Sequence, residues 1–197
     1  MSDDVTRAVY DAEAARYAEI TDAYNRADPR LADFMAAVPA GGRVLDLGCG
    51  PGASAEEMAR AGFTVDAMDA SPAMVALAEA RAGVNAILGG FDDIAGVDVY
   101  DGVWANFSLL HAARADMPRH LAAIRRALRP GGAFHIALKT GEGAKRDALG
   151  RFYTYYTEDE LTGLLGEAGF VPRARHTGCD KGLDGTDAPW IAVLCHG

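Results

Sequence analysis

The stretch Val44-Leu45-Asp46-Leu47-Gly48-Cys49-Gly50-Pro51-Gly52 decides the fold. Residues 44–47 read as a buried strand that runs into a glycine-rich turn, and residues 53–61 read as the helix beyond it. Glycines let the backbone approach a ligand closely and turn tightly into the next helix. Gly48-x-Gly50-x-x-Ala53 also satisfies the loose dinucleotide fingerprint, a weak signal by itself. An acid inside an otherwise apolar strand is costly unless paired. Asp46 therefore calls for either a ligand or a set of backbone N–H donors.

Downstream, strands and helices alternate. Residues 64–68, 86–88, 100–105 and 133–138 read as strands. Ser71-Pro72 opens a helix, because Ser caps an N-terminus and Pro fits a first turn. Residues 116–128 and 158–168 read as further helices, ended by Pro130-Gly131-Gly132 and by Gly169. Two strands close the chain, around 171–177 and 190–195. This alternation predicts a mostly parallel sheet with helices on both faces, and ligands at the C-terminal ends of its strands. Only about ten residues separate the third and fourth strands, so that crossover helix is short or absent. Upstream, residues 1–40 are helical in character, with Tyr10, Tyr17 and Tyr24 on one stripe and a second helix restarting at Asp28-Pro29.

Composition sets outer limits. The chain has 197 residues, a net charge of −9 and a pI near 4.9; half of it is hydrophobic and 24% charged. That length and balance fit one globular domain, with 1–40 as a helical cap on a 41–197 core. Acidity argues against a nucleic-acid partner, since a phosphate backbone needs a basic face. No apolar run is long enough to span a membrane, and the N-terminus lacks a signal-peptide core. Cys49, Cys179 and Cys195, an odd number, read as reduced cytoplasmic thiols. Five scattered histidines offer no metal-ligand spacing, so no metal is expected.

Charge separates the two ligands a glycine loop can take. A dinucleotide places a pyrophosphate against the loop and the helix N-terminus. Asp46, Glu56 and Glu57 all lie near that place and already complement the helix dipole. S-adenosylmethionine carries an ammonium and a sulfonium, which an acidic site favours. Asp69, at the end of the second strand, can accept both hydroxyls of an adenosine ribose, or can cap the helix beginning at Ser71.

Val44–Gly52, Asp69 in Asp-Ala-Ser, Asn106–His111 and Leu128-Arg-Pro-Gly-Gly132 together resemble a class I S-adenosylmethionine-dependent methyltransferase of small-molecule type. The resemblance covers nearly the whole chain. It implies a Rossmann-like α/β fold: a seven-stranded, mostly parallel sheet with an N-terminal helical cap. It implies that residues 46–52 (Asp46, Gly48, Cys49, Gly50 and Gly52) wrap the methionine end, and that Asp69 holds the ribose. Ala70 and Met74 extend that contact. The family's usual Gly-Asp after strand three is here Gly89-Gly90, a departure. Phe91 then packs on the adenine, and Asp92 takes the amino group unless Asp92-Asp93 is a solvated turn. Asn106 and Phe107 touch the cofactor, largely through backbone.

The segment 104–111 lacks the Asn/Asp-Pro-Pro-aromatic motif of nucleic-acid amino methyltransferases, which points to a small-molecule acceptor. Methyl transfer is an in-line displacement that needs mainly proximity and alignment, plus a base only for a protonated acceptor. His111 is the candidate base, and the alternative is a structural histidine. Tyr17, with Tyr10 second, matches the tyrosine that closes over the cofactor in similar enzymes; alternatively the tyrosines pack on the core. Lys139 orients an anionic acceptor or snorkels to solvent. Phe152–Tyr156 forms a substrate wall, a cage for a cationic acceptor, or a buried connection. Lys145, Arg146 and Arg151 read as a solvated face. The expected product is S-adenosylhomocysteine. Other readings stay open: a protein or RNA methyltransferase, a nicotinamide-dependent oxidoreductase, or a non-catalytic S-adenosylmethionine-binding subunit.

Overall fold

The chain's longest helix comes first. In the computed structural model, which describes residues 3–181 and 185–197, α1 spans Asp4–Arg26 and α2 spans Pro29–Ala37. Asp3 caps α1 by accepting from the Thr6 N–H, and Asp28 with Pro29 starts α2. Then come β1 (Arg43–Leu47), α3 (Ala53–Arg60), β2 (Thr64–Asp69), α4 (Pro72–Glu79) and β3 (Val84–Leu88). A single 3-10 turn, Phe91–Asp93, is all that stands between β3 and β4 (Tyr100–Asn106), as the short spacing predicts. The remainder is α5 (Met117–Ala127), β5 (Leu128–Lys139), β6 (Ala144–Arg146), β7 (Phe152–Thr154), α6 (Glu158–Glu167), β8 (Val171–Lys181) and β9 (Asp187–His196).

Seven strands form one sheet in the order β3-β2-β1-β4-β5-β9-β8. The first five are parallel; β9 runs antiparallel to β5, and β8 to β9. The order reverses between β1 and β4, so a crevice opens beyond their C-terminal ends. The expected fold class is thus the observed one. Two details differ. The segment 128–132 belongs to β5, pairing at Leu128 with Tyr100, rather than standing apart as a turn. The segment 140–157 is not a plain connection but contains the β6–β7 hairpin.

Period-two alternation distributes β1 between two cores. Leu45 and Leu47 face Leu121 and Ile124 of α5 and Leu161 and Leu165 of α6. Val44 faces Leu31 and Phe34 of α2 and Met58 of α3. Asp46 falls on the Val44 side, beneath the first turn of α3, where its carboxylate accepts from the Ala55 N–H. The α1 helix buries only Thr6 and Ala14, so polar contacts rather than core packing hold it. Among the described residues no helix is long and apolar enough to cross a membrane.

Candidate active site

The β1–α3 loop is shaped by close backbone approach. Gly48 sits at φ +74°, and a Cβ there would lie 2.3 Å from Ser108 Cβ on the loop after β4. Gly52, at φ +79°, packs against Ala78 of α4 instead, where a Cβ would come within 2.9 Å. The Gly48 and Cys49 N–H groups donate to the Met68 carbonyl at 2.8 and 3.0 Å. Asp69 ties the neighbouring loops together: its carboxylate accepts from the Gly50 N–H and the Ser71 N–H, each at 2.9 Å. Ser71 in turn caps α4 by accepting from Met74 N–H.

The electrostatics of this corner are negative. Asp46 is buried, and its Oδ2 has no hydrogen-bond partner among the described residues. Burial, and then repulsion from Asp69, pushes the Asp46 carboxyl up to about 8. Burial raises Asp69 as well, against its backbone donors. Burial and the same two carboxylates hold the Cys49 thiol well above its ordinary range. Glu56 and Glu57 do not share this corner as their sequence position implied. Their carboxylates turn to Arg26, Arg60 and Arg81, with Glu56 2.5 Å from Arg26 and 2.8 Å from Arg60.

A cleft beyond the strand ends brings together most of the residues singled out in the sequence. Gly48, Gly50, Asp69, Ala70 and Met74 line one side, Phe91, Asn106, Phe107 and His111 the other, and Tyr17 closes it from α1. Asp46, Cys49 and Gly52 lie behind its surface rather than on it. Asp92 is not part of the lining either; its carboxylate turns outward to Arg119. Asn106 engages its side-chain oxygen with His135 Nε2 at 3.1 Å, and His135 stacks on Trp104 at 3.7 Å between centroids.

His111 is half-buried on a polar chain of contacts. Its Nδ1 lies 2.6 Å from the Phe152 carbonyl, which fixes the proton there because a carbonyl only accepts. Nε2 is then an acceptor, and it receives the Tyr10 hydroxyl at 2.9 Å. Arg151 donates to that hydroxyl at 3.3 Å and is itself gripped by Asp147 at 2.6 and 2.9 Å. Burial lowers His111 to about 4, so the ring is neutral near pH 7. Arg151 is therefore no solvated residue: it is 2% exposed. Arg146 pairs with Asp3 at 2.8 Å.

A second cavity of about 400 Å³ adjoins the cleft. The two share Tyr10, Tyr17, Phe107 and His111 as a common wall. Its other side is made by Tyr24 of α1, Lys139 at the end of β5, Tyr153 of β7, and Asp180 and Trp190 of β8 and β9. Sequence reasoning missed Thr6, Ser108 and Trp190. Only Ser108 carried a usable signal, its place in the loop after strand four.

Comparison with known proteins agrees with this geometry. Residues 44–132 match a methyltransferase-domain family model. Over 50 residues the chain is 44% identical to a mitochondrial ubiquinone biosynthesis O-methyltransferase of Schizosaccharomyces pombe, covering 25% of this chain and 18% of that protein. Over 40 residues it is 55% identical to a ubiquinone biosynthesis O-methyltransferase of Xanthomonas axonopodis pv. citri, covering 20% of this chain and 17% of that one. The matched stretches thus span less than a fifth of either curated relative. The whole fold resembles the Burkholderia thailandensis 1,6-didemethyltoxoflavin-N1-methyltransferase, solved with 1,6-didemethyltoxoflavin and S-adenosylhomocysteine. That likeness has a TM-score of 0.80 and 25% identity, over 98% of this chain and 87% of the other. The matched segment is thus similar to a methyltransferase domain, and the whole fold to that of a methyltransferase solved with S-adenosylhomocysteine.

Proposed function

We propose that this chain is a single-domain enzyme that transfers a methyl group from S-adenosylmethionine to a small-molecule acceptor. One observation carries the reading: two cavities meet at the wall made by Tyr10, Tyr17, Phe107 and His111. A donor on one side and an acceptor on the other would react across it.

The residues present fit the cofactor. Gly48 and Gly50 give the backbone access that a Cβ would deny. Buried Asp46 and half-buried Asp69 repel each other, so a cationic ligand relieves the pair and a pyrophosphate aggravates it. That disfavours the nicotinamide alternative. When bound, S-adenosylmethionine supplies an already activated methyl group. Asp69 would hold the ribose hydroxyls, Phe91 and Met74 would pack on the adenine, and Asp46 would set the negative field behind the methionine end. Gly48, Gly50, Ala70, Asn106 and Phe107 complete the cradle, with Cys49 and Gly52 supporting it from behind. Tyr17 shuts the cleft against water, which keeps the electrostatics strong. His111, with a conjugate acid near 4 and its lone pair turned to Tyr10, is a weak base. Its main service is to hold the Tyr10 hydroxyl at the shared wall.

The acceptor class draws support from the relatives, named for toxoflavin and ubiquinone chemistry. The acidic surface supports the exclusion of nucleic acid, and three unpaired cysteines support a reducing, cytoplasmic setting. The test incubates purified protein with labelled S-adenosylmethionine and a cell extract divided by size. S-adenosylhomocysteine should appear, with label in the metabolite fraction; label confined to protein or RNA overturns the acceptor class. Calorimetry should show Asp69→Ala weakening S-adenosylhomocysteine about 100-fold, the scale of two hydrogen bonds to a charged group. Unchanged affinity removes Asp69 from the site.

A further inference from the structure

A polar side chain that heads a helical turn ordinarily accepts from the free N–H groups of that turn. Elsewhere in this chain the rule holds: Asp3, Asp28, Ser71 and Thr157 each accept from an N–H of the helix they start. Ser108 starts the 3-10 turn Leu109–His111, and its hydroxyl makes no such bond. The residue is 6% exposed, and its Oγ has no hydrogen-bond partner among the described residues. A buried hydroxyl left unpaired lowers stability. The fold nonetheless places it in the lining of the cleft beyond the strand ends.

The backbone is strained to put it there. Phe107, the residue before it, holds φ at +54°, a conformation that a bulky side chain adopts only at a cost. On the facing loop Gly48 has no side chain to cover it. A Cβ built there would lie 3.1 Å from Ser108 Oγ and 2.3 Å from Ser108 Cβ. Strain, a bare glycine and an unused hydroxyl thus converge on one point between the ends of β1 and β4.

We infer that Ser108 is a contact residue for the amino-acid end of the cofactor, its Oγ accepting an N–H of the α-ammonium. This deepens the methyl-transfer reading and rests on it. A primary ammonium has three N–H donors and no acceptor, so it leaves water only for a site that offers acceptors. Asp46 sets the negative field but lies behind the cleft surface, so direct contact falls to groups on that surface. Among the described residues of the lining, Ser108 Oγ is the one buried side-chain oxygen without a partner. The acidic corner also decides which group of the amino acid comes to it. The ammonium is drawn toward Asp46, whereas the carboxylate is repelled.

The test uses calorimetry on the native protein and on Ser108→Ala with three ligands. These are S-adenosylhomocysteine, its deamino analogue S-adenosyl-4-thiobutyrate, which keeps the carboxylate, and methylthioadenosine, which has neither charged group. Ser108→Ala should weaken S-adenosylhomocysteine about tenfold, the scale of one hydrogen bond to a charged group. The other two ligands should change by less than about twofold. Ligand-free Ser108→Ala should unfold at no lower denaturant concentration than the native protein, because the fold makes no use of the hydroxyl. Unchanged S-adenosylhomocysteine affinity, an equal loss for the deamino analogue, or a lower unfolding midpoint overturns the inference and leaves the methyl-transfer reading standing. Failure of the native protein to bind S-adenosylhomocysteine overturns that reading, and the inference with it.

Discussion

On one side of Tyr17 the chain lines its cavity with backbone and carboxylates; on the other side it uses rings and cations. The first region comes from the ends of β1 to β4 and the loops that follow them, closed by α1. The second draws on α1, β5, the β6–β7 hairpin, β8 and β9, which lie far apart in sequence. The charges differ in the same way. The first region sets Asp69 close to Asp46, two carboxyls without a cation between them, whereas the second holds Arg151 against Asp147 and places Asp180 on Trp190 and Tyr24.

If the cofactor side is made of backbone, one added methyl there should cost more than a whole hydroxyl removed from the chamber. Gly48→Ala combines a left-handed φ of +74° with a Cβ 2.3 Å from Ser108 Cβ. The conformation alone costs roughly 1–2 kcal/mol and the overlap about as much again, for a total of about 3 kcal/mol. Tyr24→Phe, which loses contacts of a half-exposed hydroxyl, should cost within about 1 kcal/mol. Denaturant unfolding measures both. Adding Ser108→Gly to Gly48→Ala should recover the overlap and leave the conformational part. Similar costs for the two single variants would erase the distinction between the regions.

The same division explains what the sequence could disclose. Asp46, Gly48, Gly50 and Asp69 lie within 24 residues, and each is tied to a strand end, so short-range pattern reaches them. Phe91 was reachable by the same logic. Asp92 was not, because whether it turns inward or to Arg119 depends on α5, 27 residues away. Arg151 looked like surface because its burial depends on Tyr10, 141 residues distant, and on Asp147. The Ala144–Arg146 strand is exposed along its length and has no apolar alternation. Only its pairing with Phe152–Thr154 makes it a strand. Glu56 and Glu57 show the converse: the right positions, with side chains claimed by arginines of α1, α3 and the loop after α4.

The charge contrast makes a pH prediction of up to about tenfold per unit. Asp46 is raised from 3.8 to about 8, so its ionisation is suppressed in the ligand-free fold. The sign is that of a raised acid: the cost to stability grows as pH climbs from about 4 and levels off above 8. A cationic ligand favours the carboxylate, so S-adenosylmethionine should bind more tightly as pH rises from 6 to 8. It should also release part of a proton at pH 7. Calorimetry in two buffers of different ionisation enthalpy reads both effects, and Asp46→Asn should flatten them. Affinity that falls with pH would mean the site prefers an anion, and the contrast between the regions would be lost.

The smallest effect concerns α1, which spans both regions and is fastened differently at its two ends. Its C-terminal turn enters a network: Asp22 holds Arg81 at 2.6 Å, and Arg26 holds Glu56, whose side chain is 10% exposed. Besides the local Asp4–Arg7 pair, its N-terminal turn has, among the described residues, one ion pair to the rest of the chain, Asp3 with Arg146, whose side chains are 25% and 44% exposed. The Arg146 guanidinium holds the Asp3 carboxyl well below the usual carboxylate range, so this contribution exists above about pH 4 and fades as pH falls. An exposed pair of this kind is worth about 0.5 kcal/mol and weakens with salt. Arg146→Met should therefore leave global stability nearly unchanged. It should speed amide exchange about twofold in the first two turns of α1, around Thr6 and Tyr10, and leave the turn at Arg26 unaffected. Those first turns carry the residues that face both cavities, so a helix that frays from this end opens cleft and chamber together while staying hinged at Arg26. Equal acceleration along the whole of α1 would mean that it moves as one rigid piece, and the difference between its ends would have no part in admitting ligands.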